Sequence, residues 1–157
     1  VRSVQDVRAL LRAGADKVAV NTAALKQPAL ITAIAQAFGR QCMVLSVQAK
    51  RRPGGGWEAY FDNGREHSGR DAVAWAAEGA QRGAGEILLT SVAAVCAAVD
   101  VPVVAAGGLA GAEDAAAAAN AGAAAVAAAS ALHYGTQTVQ SLKQGLAALG
   151  VEVRPCE

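Results

Sequence analysis

Three times along this chain a Gly-Ala pair stands directly before an apolar run. Gly14-Ala15 precedes Asp16–Asn21, Gly83-Ala84 precedes Glu86–Thr90, and Gly122-Ala123 precedes the Ala- and Val-rich stretch that ends at Ser130. Glycine is a common C-cap where a helix hands over to a returning strand. Helical spacing is found upstream of each pair, as at Val4, Val7, Leu10 and Leu11. Strands and helices alternating through short turns mean right-handed βαβ units on a parallel sheet.

Reading along the chain, Ser3-Val-Gln-Asp6 opens the first helix as a capping box, with Asp in place of the usual Glu or Gln. Asp16–Asn21 and Met43–Gln48 are strands, and the helix between them runs from Pro28 to Phe38 with Pro in its first turn. Residues 50–68 break the rhythm. Pro53-Gly-Gly-Gly56 is a turn, and Trp57–Phe61 followed by Asp62-Asn-Gly64 reads as a β-hairpin. Helices are expected over 69–82, 92–99, 112–121 and 137–149, with strands over 86–90, 101–106 and 124–129. The fold class is therefore α/β, a partial (β/α)8 barrel in one domain over 1–157. It has five parallel strands, flanking helices and a small β-hairpin insertion. A complete barrel has eight units in about 250 residues. Nine residues separate Ser91 from Val101. A parallel crossover needs at least about 10 to 12, so the βα loop after Ser91 is expected to be missing or nearly so.

The strand Val101-Pro-Val-Val-Ala-Ala-Gly-Gly108 and the strand ending Ala128-Ala-Ser130 finish in small residues. Adjacent strand ends of this kind leave backbone N–H groups open to an oxyanion, and Gly107 and Gly108 allow the close approach. The last two units of a (β/α)8 barrel build their phosphate site in this way.

Composition narrows the partners. A formal net charge of +1 argues against binding nucleic acid or an anionic membrane through bulk charge. No run approaches the roughly 18 to 20 apolar residues of a membrane span. Val1-Arg-Ser-Val-Gln-Asp6 lacks the shape of a secretory signal and has no initiator Met, as in an internal stretch of a longer chain. Cys42, Cys96 and Cys156 stand at unrelated spacings with no neighbouring His, which points to thiols in a reducing cytoplasm and to no metal site. None of the thirteen carboxylate residues falls at the C-terminal end of an expected parallel strand. Those ends are Asn21, Gln48, Thr90-Ser91, Ala106-Gly107 and Ser130. The two histidines fall in the hairpin loop (His67) and after the last strand (His133), and Cys42 has no His to activate it.

Longer strings carry a resemblance. Gly14-Ala-Asp-Lys-Val-Ala-Val-Asn-Thr-Ala-Ala24, Gln48-Ala-Lys-Arg51, Trp57-Glu-Ala-Tyr60, Gly83–Ser91, Ala128-Ala-Ser-Ala-Leu-His-Tyr134 and Gly150-Val-Glu-Val-Arg154 are similar to the cyclase subunit of imidazole glycerol phosphate synthase. The similarity begins after that family's third strand and runs to its end, so the first three βα units have no counterpart here. It implies formation of imidazole glycerol phosphate and an aminoimidazole ribonucleotide in histidine biosynthesis. The substrates would be a bis-phosphorylated ribulosyl precursor and ammonia, with no cofactor. A glutaminase partner docked at the N-terminal ends of the strands would supply the ammonia.

The resemblance also assigns positions. Phosphate groups would lie on Gly107, Gly108, Ala129 and Ser130, with Asn21, Thr22 and Thr90 contributing, and Ala106 stands where the family usually has Ser. Lys17 and Glu86 match half of a charged ammonia gate, and Asp16 and Gln41 match positions facing the glutaminase. Gln48 occupies the place of a catalytic Asp. An amide has no proton to exchange near neutral pH, so acid–base work is not expected of Gln48. The family's Asp-rich loop after the Leu-Leu-Thr-Ser strand is also missing, which leaves a chain expected to be inactive alone. Two alternatives stand beside this reading. One is a non-catalytic, phosphate-binding half-barrel that self-associates through open sheet edges. The other is the related sugar-phosphate isomerase of the same pathway, which shares the phosphate site.

Overall fold

A computed structural model describes residues 1–89 and 93–154. Five parallel strands form its centre: β1 (Val18–Val20), β2 (Met43–Arg51), β5 (Glu86–Leu89), β6 (Val103–Ala106) and β7 (Ala125–Ala127). They lie side by side in the order β1-β2-β5-β6-β7, with β1 and β7 at the open edges. The partial-barrel expectation holds, and the sheet does not close.

The hairpin strands β3 (Trp57–Phe61) and β4 (Glu66–Asp71) join this sheet through β2 alone. Met43–Val47 pair in parallel with β1 and β5, whereas Gln48–Arg51 pair antiparallel with β3. One strand thus serves two sheets. The turn is made by Asp62 and Asn63, both at positive φ, followed by Gly64. Asp and Asn tolerate that region better than most residues, which is why the chain can reverse here.

Helices cover one face only. In chain order they are α1 (Val4–Arg12), α2 (Thr22–Lys26), α3 (Ala29–Phe38), α4 (Ala72–Gln81), α5 (Ala93–Cys96), α6 (Ala112–Asn120), α7 (Ser130–His133) and α8 (Val139–Ala148). The capping box of α1 forms as expected, Ser3 accepting from the Asp6 N–H and Asp6 from the Ser3 N–H. Two short helices, α2 and α7, were not expected, because each is a single turn with too few residues for a 3.6-residue period to show. The expected helix 69–82 is shorter, starting at Ala72. Gly69–Asp71 extend β4 instead, and Asp71 caps the helix by accepting from the Val73 and Ala74 N–H groups at 2.9 Å.

Strand alternation then sorts the side chains. Val18, Val20, Met43, Leu45, Val47, Ile87, Leu89, Val103 and Ala105 point to the helices and are buried. Trp75 on α4 is 1% exposed among them. The other face carries Val44, which is buried, and Ala19, Ser46, Leu88 and Val104, which are partly or fully exposed where a closed barrel would fill its interior. Two glycines allow close approaches. A Cβ on Gly79 of α4 would stand 2.2 Å from Leu45 Cδ2 of β2, and one on Gly85 2.3 Å from the Arg40 carbonyl oxygen in the connection before β2.

Candidate functional site

The uncovered concave face runs between two rims. At the N-terminal rim Lys17 Nζ meets Glu86 Oε2 at 2.5 Å across the start of β2. Asp16 and Gln41 are exposed on the same rim. Gln41 donates to the Phe38 carbonyl at 3.2 Å. Arg40 reaches the Ala80 and Ala84 carbonyls at 3.3 and 3.4 Å and fastens this rim to α4.

At the C-terminal rim, β6 ends in two glycines at positive φ, Gly107 at 87° and Gly108 at 72°. Both are exposed, as are Ala129 and Ser130 at the end of β7. Gly108, Ser130, Leu109, Ala131, Tyr134 and Thr136 share an open depression of about 480 Å³. The two strand ends therefore meet in one hollow. Asp114 accepts from the Ala110 N–H at 2.8 Å and fixes the entry to α6 beside it. Thr90 and Ser91, with the loop expected to be missing, lie outside the described residues.

Asn21 and Thr22, four strands away, are bound to the hairpin. The Asn21 amide donates to the Ser46 carbonyl at 3.0 Å and to the Tyr60 carbonyl at 3.1 Å. Its oxygen accepts from Thr22 Oγ1 at 3.3 Å, and Thr22 Oγ1 accepts from the Asp62 N–H at 3.1 Å. Asn21 thus pins β1, β2 and β3 together with both amide hydrogens. A cleft of about 780 Å³ opens here, lined by Asn21, Thr22, Lys26, Phe61, Asp62 and Glu66 among others. Listing parallel strand ends missed these two carboxylates, because the hairpin folds back and carries them to the end of β1.

Gln48 lies on the concave face, opposite Tyr60 in the β2–β3 register. Its Oε1 is buried and accepts no hydrogen bond among the described residues. Lys50 follows on the same face, its Nζ 4.7 Å from the centre of the Tyr60 ring. His67 sits within β4, one strand over from Tyr60, rather than in a loop. Its Nε2 is 3.2 Å from the Tyr60 hydroxyl and its Nδ1 3.3 Å from Glu58 Oε2. Glu58 Oε1 accepts from the Gly69 N–H at 2.8 Å, and this bond does most to hold its carboxyl below the usual range. His67 and then Arg52, 3.7 Å away, act in the same direction. Neither Glu58 nor Tyr60 stood out in the sequence. The available signal was alternation, since Glu58 and Tyr60 share one face of β3. Among the described residues no group of three or more His, Cys, Asp or Glu is placed to hold a metal.

Comparison with known proteins decides the lineage. Residues 1–138 match the family model described as "Histidine biosynthesis protein". The chain belongs to this family. Within it, the chain is 52% identical to the imidazole glycerol phosphate synthase subunit HisF of Beutenbergia cavernae, over 98% of the chain and 68% of that protein. It is 52% identical to HisF of Legionella pneumophila over 73% of the chain and 60% of that protein. Against HisF of Symbiobacterium thermophilum it is 47% identical over 98% and 66%. The chain thus spans about two thirds of the length of these HisF relatives. Its alignment with the B. cavernae protein runs over 173 positions, more than the 157 residues of the chain. That HisF carries residues inside the shared span that this family member lacks. Among the described residues no helix is long and apolar enough to cross a membrane.

Proposed function

We propose that this chain is a HisF-type barrel segment that holds a bis-phosphorylated ribulosyl precursor across its C-terminal rim. It covers the family's fourth unit onward and lacks the βα loop after Ser91. The gap-bearing alignments support that loss, as does the short span from Ser91 to Val101. The observation that carries the reading is the hollow shared by Gly108 and Ser130, where β6 and β7 end side by side.

One phosphate would bind there through the backbone N–H groups of Gly107, Gly108, Ala129 and Ser130. The other would lie toward Thr22 and Thr90. Asn21 acts by shaping that end, since its amide hydrogens are already shared between two carbonyls. Ammonia would arrive from a glutaminase docked on Asp16 and Gln41, passing the Lys17–Glu86 pair. The setting is cytoplasmic. With Gln48 in the place of a carboxylate, the chain alone completes little or no cyclisation.

Titration with ribulose 5-phosphate and with inorganic phosphate tests the binding half directly. Saturable binding of both is the expected result, with Gly107→Val, which crowds those backbone N–H groups, weakening each at least about tenfold. Absence of binding would remove the reading.

A second reading rests on the open edges. Among the described residues β1 and β7 each pair on one side only, and unpaired strands recruit partners. Sedimentation over a range of concentrations reads this directly. A stable monomer would dismiss self-association.

A further inference from the structure

We propose that Glu58, His67 and Tyr60 form a proton-relay site on the hairpin, at which the Tyr60 oxygen removes and returns a proton next to the carbonyl of a phosphorylated ketose. The substrate class rests on the phosphosugar reading above; the relay itself rests on geometry.

Three groups in series set its direction. An ionised carboxylate only accepts hydrogen bonds, and Glu58 is kept ionised by the Gly69 N–H and by Arg52. The His67 Nδ1 facing it therefore carries the hydrogen. In a neutral ring the other nitrogen is then the acceptor, and it faces the Tyr60 hydroxyl at 3.2 Å. The Tyr60 O–H thus donates to His67, and His67 donates to Glu58. This is the order that lets a hydroxyl give up its proton inward and take another from outside. A third group orienting the base is the same logic that activates hydroxyl nucleophiles and bases elsewhere.

Placement gives the relay something to act on. Tyr60 stands opposite Gln48, and Glu58 opposite Lys50. Alternation puts all four on the face that continues Ser46, the concave one. The Asn21 bond to the Tyr60 carbonyl fixes that face at the C-terminal end of β1. Strands lie about 4.8 Å apart, so the ends of β1 and β7 are roughly 19 Å apart along the sheet. A ligand stretched between these ends crosses β2 beside Tyr60, and a ketose monophosphate whose phosphate lies at the β1 end is one strand from it. His67 has a side chain 71% exposed, which keeps the middle of the relay in contact with solvent.

The step balances without Gln48. A proton on the carbon next to the carbonyl passes to the Tyr60 oxygen as the tyrosine's own proton moves to His67 Nε2. The C–H electron pair becomes the second bond of an enediolate, and Glu58 neutralises the imidazolium. The Lys50 ammonium, on the same face, stands by the new oxyanion. Reversal returns a proton drawn from solvent. Tyr60 is the catalytic residue, and His67 and Glu58 position and recharge it.

Ribulose 5-phosphate incubated with the full chain in D2O tests this by NMR. Deuterium should appear at the carbon beside the carbonyl well above the buffer rate. Tyr60→Phe should slow it at least about 100-fold, the range of a lost acid–base group, with the phosphosugar Kd unchanged. His67→Gly should lose a similar factor and regain part of it with added imidazole, which a purely structural histidine would not. Exchange equal in wild type and Tyr60→Phe would overturn the proposal, as would bound ketose with no exchange. Failure to bind the ketose at all would instead strike the phosphosugar reading. The relay would then be judged on the nitrogen spectrum of His67, where hydrogen on Nε2 rather than Nδ1 overturns it.

Discussion

Lys17 and Glu86 form an ion pair that bridges β1 and β5 across the start of β2, the strand between them. The lysine side chain is half exposed and the glutamate mostly covered. Exposed pairs couple weakly, by about 0.2–1 kcal/mol. A double-mutant cycle of Lys17→Ala and Glu86→Ala, followed by denaturant unfolding, is expected to give a coupling within that range. A larger coupling would make the pair a structural clamp rather than a feature of the rim.

Gly107 at φ 87° sits where side chains are rarely accommodated. Replacing it with Val also crowds the approach to the backbone N–H groups. Gly107→Val is expected to weaken phosphate binding at least about tenfold, roughly the 1.4 kcal/mol of one lost interaction. Helix content by circular dichroism should stay unchanged. Undiminished affinity would place the anion elsewhere.

Asn21 separates two kinds of substitution. Ala removes both donors and leaves the Ser46 and Tyr60 carbonyls short of a partner, at about 1–3 kcal/mol if they stay dry. Asp is nearly isosteric but brings a second oxygen toward two carbonyl oxygens. Asn21→Asp is therefore expected to destabilise more than Asn21→Ala near neutral pH, measured by thermal unfolding. The reverse order would show that the bracket is solvated.

Gly85 is held by geometry on both sides. Its N–H donates to the Met43 carbonyl at 3.0 Å, and the Arg40 carbonyl occupies the space a Cβ would need. That obstacle is backbone, so it yields only if the connection before β2 moves. Gly85→Ala is expected to cost about 1–3 kcal/mol, the scale of overpacking. Gly79→Ala meets only the movable end of Leu45 and should cost less.

Glu58 gives the hairpin a pH dependence of known sign. Its folded carboxyl is lowered from 4.5, first by the Gly69 N–H and then by His67 and Arg52, against some desolvation. A lowered acid binds fewer protons when folded, so its contribution is present above about 4.5 and lost as pH falls through the folded value. The Gly69 amide resonance should report this titration below pH 4.5, and Glu58→Gln should abolish it. A midpoint above 4.5 would contradict the bond.

The parallel strands were legible because apolar runs behind Gly-Ala pairs are a strong signal, as at Val18–Val20 and Glu86–Leu89. Lys17 and Glu86 could be placed on one rim because both stand at the starts of parallel strands, but their contact across β2 could not be read from the sequence. His67 was hidden by a boundary: expecting a helix from Gly69 left it in the hairpin loop, whereas Glu66–Asp71 form a strand that sets it against Tyr60 and Glu58. Asp62 was hidden for a related reason. It lies far from Thr22 in sequence, and only the fold-back of the hairpin brings its N–H to the Thr22 hydroxyl. One-turn helices such as Thr22–Lys26 carry too little pattern to read at all.

The antiparallel branch on β2 also bears on the order in which the chain can assemble. Val44 and Glu86 pair in parallel, and closing the long loop between them carries an entropy cost that grows with its length. Local pairing of residues 48–51 with β3, and of β3 with β4, draws Asp71 to within one strand of β2 before that closure. Only residues 72–85, mostly the single helix α4, then remain to be bridged. A hairpin formed early would turn the most distant strand pairing of the sheet into a short one, and unfolding kinetics of variants in β3 should show it as a slowed folding arm rather than a hastened unfolding one.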